Sequence, residues 1–96
     1  MFNGRRVRVV ADSITAKTHG KIKPKNIYET KDPTNEDDMI YINDSIMVQV
    51  GLDYFLVSAA FKNSTGNTSF AFWPIAFDLD TVIGYISDGL KGKLPK

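Results

Sequence analysis

Residues 39–61 read MIYINDSIMVQVGLDYFLVSAAF, and this stretch decides the fold. Met39–Ile42 is a short apolar run of strand length. Asn43 and Asp44 both tolerate positive φ and suit a tight turn, so Ser45–Val50 is predicted to return beside that run. Gly51, Leu52 and Asp53 make the next reversal. From Tyr54 to Phe61 both parities are apolar: Tyr54, Leu56 and Ala60 on one, Phe55, Val57, Ala59 and Phe61 on the other. That pattern predicts a central strand covered on each side. Asn63–Asn67 then forms a hairpin loop, with Gly66 available for the left-handed position, and Ser69–Trp73 runs back along it. The middle of the chain is an antiparallel β-meander.

Toward the N-terminus, Arg5–Ala11 alternates: Val7, Val9 and Ala11 share one side, and Arg6, Arg8 and Val10 share the other. The reading is a half-buried strand with arginines on its outer side. Lys21, Lys23 and Lys25 fall on one side of a second alternating stretch. Pro24 lies within it and has no N–H to give to a ladder, which requires an edge or a loop. Glu29–Asp38 contains Pro33, Asn35 and a run of acids without periodicity, and is expected to be a loop. Toward the C-terminus the period changes. Leu79, Val82, Ile83, Ile86 and Leu90 follow helical spacing, with Asp78 or Asp80 placed to cap the first turn and Gly92 placed to end the last. Gly84 and Gly89 oppose this helix, each by about 1 kcal/mol relative to Ala.

A chain of 96 residues is expected to form a single domain, residues 1–96, because it is too short for two cores. The predicted fold class is mainly β: a small antiparallel barrel or β-meander with one short C-terminal α-helix. A long polar excursion after the first strand, followed by a tight meander, resembles the pattern of a Src-homology-3-type barrel over residues 5–73. The absence of cysteine excludes disulfides, thiolate metal sites and a cysteine nucleophile, and fits a reducing cytoplasm. The start of the chain carries no apolar leader, and no stretch approaches the roughly 20 apolar residues of a membrane span, so a cytoplasmic protein with no membrane partner is expected.

Charge is sorted in blocks. From Met1 to Tyr28 seven basic residues stand against one acid; from Glu29 to Asp44 six acids stand against one lysine; the net charge is only +1. Two oppositely charged surfaces are expected from this, suited to oriented docking. If the first two alternating segments were neighbours in the sheet, Arg6, Arg8, Lys21, Lys23 and Lys25 would form one basic patch able to meet an acidic partner or phosphates. The competing reading is a solvated strand face whose lysines protect an edge. The acids Asp32, Glu36, Asp37 and Asp38 supply oxygen ligands but lack calcium-loop spacing, since Asp37 falls where the sixth-position glycine belongs. They are read as a solvated loop, or as a surface for the basic face of another copy. Asp78 and Asp80 are read as helix capping rather than a metal pair. His19 is the only histidine and has no acid or nucleophile close in sequence.

Phe70–Phe77 (FAFWPIAF) carries four of the eleven aromatic residues and no polar side chain. One side of it can face the core, and the other needs cover from the C-terminal helix or from a partner, for which Trp and Phe are favoured anchors. No phosphate loop, nucleophile elbow or Ser-x-x-Lys spacing is present, so no catalytic residue, cofactor or metal is assigned and no small-molecule substrate is expected. The expected function is a non-catalytic protein-interaction module that self-associates or joins a larger protein, with Phe72, Trp73 and Phe77 as apolar contacts and the basic set steering the encounter. Compact cysteine-free domains are frequent among bacterial and phage accessory proteins, which by association suggests an adaptor or inhibitor. The alternative is nucleic-acid binding through the basic face. The third class is a small metal-dependent enzyme.

Overall fold

In a computed structural model, which describes residues 3–29 and 38–95 with side chains from residue 6 onward, the chain begins with a helix. α1 spans Asn3–Lys17. Val7, Val10, Ala11 and Ile14 are buried while Arg8, Val9, Asp12 and Ala16 face solvent, which is the i, i+3, i+4, i+7 pattern of an amphipathic helix. The expected Arg5–Ala11 strand is therefore corrected. Seven residues containing Val7, Val9, Val10 and Ala11 satisfy both periods, and the burial of Val10 and Ile14 together with Val7 selects the helical one. α1 ends in a Schellman motif: the Gly20 N–H donates to the Thr15 carbonyl at 2.8 Å and the His19 N–H to that of Ala16 at 3.1 Å. His19, with φ of 55°, fills the left-handed position usually taken by glycine.

Five strands follow: β1 Asn26–Tyr28, β2 Asp38–Tyr41, β3 Ile46–Val50, β4 Phe55–Lys62 and β5 Thr68–Phe72. All pairings are antiparallel and the order in the sheet is that of the chain, β1-β2-β3-β4-β5. The three reversals form as the turn residues dictate. The Asn43 Oδ1 accepts from the Ser45 and Ile46 N–H groups, both at 2.7 Å, and the Asn63 Oδ1 accepts from those of Thr65 and Asn67. Gly66 takes a φ of 84°. The sheet is open, with β1 and β5 at its edges, so no barrel closes among the described residues and the Src-homology-3 resemblance gains no support. The expected Glu29–Asp38 loop lies outside the described residues except at its ends; Asp38 itself begins β2 and is fully buried.

α2, Leu79–Leu90, forms where its spacing predicts, capped by Asp78, whose Oδ1 accepts from the Thr81 N–H at 2.8 Å. Both helices lie on the same face of the sheet: α1 packs on β1 and β2, α2 on β3 and β4, and the helices touch each other. The core is sealed between these two layers. It joins Val7, Val10 and Ile14 of α1 and Val82 and Ile86 of α2 to Ile40, Val48, Val50, Phe55 and Val57 of the strands. Hence β4 is an interior strand with helices on one face only among the described residues, not covered on both as its double apolar parity predicts. No described helix is long and apolar enough to cross a membrane.

Candidate interaction surface

The pairing register sorts every strand residue onto one of two faces, because side chains alternate along a strand and directly paired residues share a side. Ile27, Ile40, Val48 and Val57 form one continuous row beneath the helices. The neighbouring rows point the other way: Tyr28, Met39, Gln49 and Leu56; then Asn26, Tyr41, Met47, Ser58 and Phe72; then Ala60 and Phe70. No helix lies on this second face among the described residues. These rows contain no charged side chain; the first is Lys62, at the corner opposite Thr68. The polar Gln49 amide donates to the Tyr54 hydroxyl at 3.4 Å, so that group is occupied within the face itself.

β5 is one of the two edges of this layer. It pairs with β4 alone, and neither helix packs extensively on it. Consequently Phe70 and Phe72 are 51% and 58% exposed, and beyond the strand Ile75 and Phe77 are 54% and 73% exposed. Pro74 follows β5 and interrupts the ladder, which resumes at a single bridge between Phe55 and Ala76.

Trp73 does not belong to this surface. It is 5% exposed, and its ring stacks on Tyr85 of α2 with centroids 6.2 Å apart. A Cβ on Gly89 would stand 2.9 Å from the Ile46 Cδ1 and 3.2 Å from the Trp73 Cη2. The missing side chain of Gly89 thus lets α2 close over Trp73, and the expected rim position of Trp73 is corrected. Phe72 and Phe77 remain at the surface, and Tyr28, Met39, Tyr41, Met47 and Phe70 join Phe72 on the open face, a set that reading one segment at a time does not assemble.

The basic residues are dispersed. The Arg6 guanidinium donates to the Gly51 carbonyl and lies over the Phe55 ring, 4.9 Å from its centroid. Arg8 pairs with Glu29, Lys25 with Asp44 and Lys17 with Asp80. Lys25 holds the Asp44 carboxyl below its ordinary pKa, first by hydrogen bonding and then by charge. The two-strand neighbourhood required for the expected patch is absent, because Arg6 and Arg8 sit on α1. The sorted charge blocks therefore fold partly onto each other rather than onto separate flanks. Lys21 lines an open groove of about 410 Å³ with Thr18, His19, Ile22, Leu90 and Lys91, at the C-terminal ends of both helices, and Lys23 lies nearby in the chain. Cations there offset the negative ends of the helix dipoles.

Among the described residues no three His, Cys, Asp or Glu side chains converge as metal ligands. Comparison with protein-family models, curated proteins and solved structures finds no match to this chain.

Proposed function

We propose that the protein is a non-catalytic interaction module whose working surface is the open sheet face with the β5 edge. The single observation that carries this reading is β5 itself, an edge strand on which neither helix packs extensively and which carries two half-exposed phenylalanines. Tyr, Phe and Met are the side chains that interfaces concentrate, and charged residues are those they exclude from their centres. Here Tyr28, Met39, Tyr41, Met47, Phe70 and Phe72 share a face whose one charged strand residue is Lys62, at a corner. Nucleic-acid binding through the basic set is less well supported, since Arg6 turns inward and Arg8 and Lys25 already hold acids.

A photo-reactive phenylalanine analogue placed at position 72 or at position 12 tests the reading. Asp12 lies on the exposed side of α1. Illumination in the native host should give discrete covalent adducts from position 72 and none from position 12. Equal yields from both positions, or none from position 72, would refute it.

A further inference from the structure

We infer that the occupant of the β5 edge is a second copy of this chain, joined by antiparallel β5–β5 pairing across a two-fold axis through Phe70. The inference rests on the reading of this edge and face as an interaction surface, and adds the identity and geometry of the partner.

The ladder sets which backbone groups are available. The Trp73 N–H donates to the Val57 carbonyl, and the Asn63 N–H donates to the Asn67 carbonyl. Odd-numbered residues from Asn67 to Trp73 therefore direct their N–H and C=O groups at β4, while Thr68, Phe70 and Phe72 direct theirs outward at the free edge. Centring the two-fold on Phe70 sets Phe70 against its copy and Thr68 against Phe72 of the copy. Each of those pairs exchanges two hydrogen bonds, so three outward groups of each kind per chain are all satisfied.

Unprotected sheet edges are exceptional, because proteins normally blunt them with charge, proline, a bulge or a very short strand. β5 reads Thr-Ser-Phe-Ala-Phe and has none of these. The opposite edge is blunted by its length, since β1 is only three residues long. One edge is guarded and the other is open, which is the asymmetry needed for a closed dimer rather than a growing ribbon. Pro74 at one end of β5 and the Asn63–Asn67 turn at the other limit pairing to the five residues Thr68–Phe72. Self-pairing brings no like charges together, since the strand carries none.

The area argues for a reversible dimer. A phenylalanine or tyrosine ring buries roughly 150–250 Å² when fully covered, so the half-exposed Phe70 and Phe72 offer about 200 Å² per chain together. With the paired backbones the total stays near or below the roughly 1,200 Å² that separates transient from stable assemblies. Pairing across β5 also makes the two open faces continuous, aligning Phe70 and Phe72 of both copies on the same side.

Light scattering and amide exchange test this in the purified protein. The mass should rise from 10.7 kDa toward twice that value between about 10 µM and 1 mM. Over the same range the amides of Thr68 and Phe70 should gain protection at least tenfold, while those of Ser69 and Ala71, which face β4, change little. F70K, which sets a lysine on the edge, should remain at the monomer mass with unchanged circular dichroism. A monomer at 1 mM whose Thr68 and Phe70 amides gain no protection would overturn the inference. So would a dimer that F70K leaves intact but M47K dissolves, because that result assigns the contact to the sheet face. Should F70K fail to fold, the amide pattern of the unaltered protein decides alone. Adducts from position 72 to a different protein, beside a monomeric mass, would leave the interaction surface standing while refuting the partner.

Discussion

Trp73 and Phe72 are adjacent in the chain and should differ sharply when truncated. Trp73→Ala removes a ring that stacks on Tyr85 and fills the space over Gly89, leaving a cavity in the core. It should cost about 3–5 kcal/mol in urea unfolding. Phe72→Ala removes a ring that is mostly in solvent, and in dilute protein should cost under about 1 kcal/mol. Similar losses for the two would mean that Trp73 is not sealed by α2. Helical geometry gives Arg6 and Arg8 different fates, since residues two apart on α1 point about 200° away from each other. Arg6 turns inward to the Gly51 carbonyl and the Phe55 ring, whereas Arg8 stays on the surface, where its pairing with Glu29 is worth little.

At the scale of elements, α2 carries two glycines that the sequence alone makes look equivalent. A Cβ on Gly84 meets nothing within 4 Å, whereas one on Gly89 meets Ile46 and Trp73. Gly84→Ala should therefore stabilise the protein by about 0.5–1 kcal/mol, through helix propensity and a smaller unfolded-state entropy. Gly89→Ala should lose that gain to repacking of Ile46, and equal gains at both positions in thermal unfolding would contradict the close approach of α2. The N-terminus of α2 gives a pH prediction. The Thr81 backbone N–H, and then its hydroxyl, hold the Asp78 carboxyl below its ordinary value of 3.8. A carboxyl depressed in the folded state stabilises above its unfolded pKa, and loses that contribution as pH falls through the lower folded value. The gap in Tm between the unaltered protein and Asp78→Ala should thus be constant near neutral pH and shrink below about pH 4. A gap that widened on acidification would be the wrong sign for a cap of this kind.

For the whole molecule, the question is whether charge or apolar area governs association. Three cations from the basic block, Arg8, Lys17 and Lys25, are bridged to acids, and Lys62 is the one charged strand residue of the open face. Self-association should accordingly change less than threefold between 50 and 500 mM salt, since few ions are taken up or released. Binding through many phosphate contacts would instead fall by about 10³–10⁵ over a comparable rise in salt. Dimer dissociation measured across that series, with retention of a DNA oligonucleotide as the parallel readout, separates the two. Steep salt dependence of the dimer would show that charged groups lie within the interface.

The meander was legible because its determinants are local. Asn43 and Asn63 turn the backbone through their side-chain oxygens and Gly66 through a left-handed φ, while Gly51 leaves room for the ring of Tyr54 three residues on. α2 was legible for the same reason, through Asp78, Gly92 and the spacing from Leu79 to Leu90. α1 was not, because Val7, Val9, Val10 and Ala11 fit both periods, and only a sheet face waiting to be covered chooses between them. Nor was the open face, which gathers residues from Tyr28 to Phe72 across all five strands and exists only because both helices settle on the other side. Turn chemistry and periodicity act over a few residues and are written in the chain; which face is covered, which edge is bare and which charges meet depend on contacts between distant segments, and only the packed structure decides them.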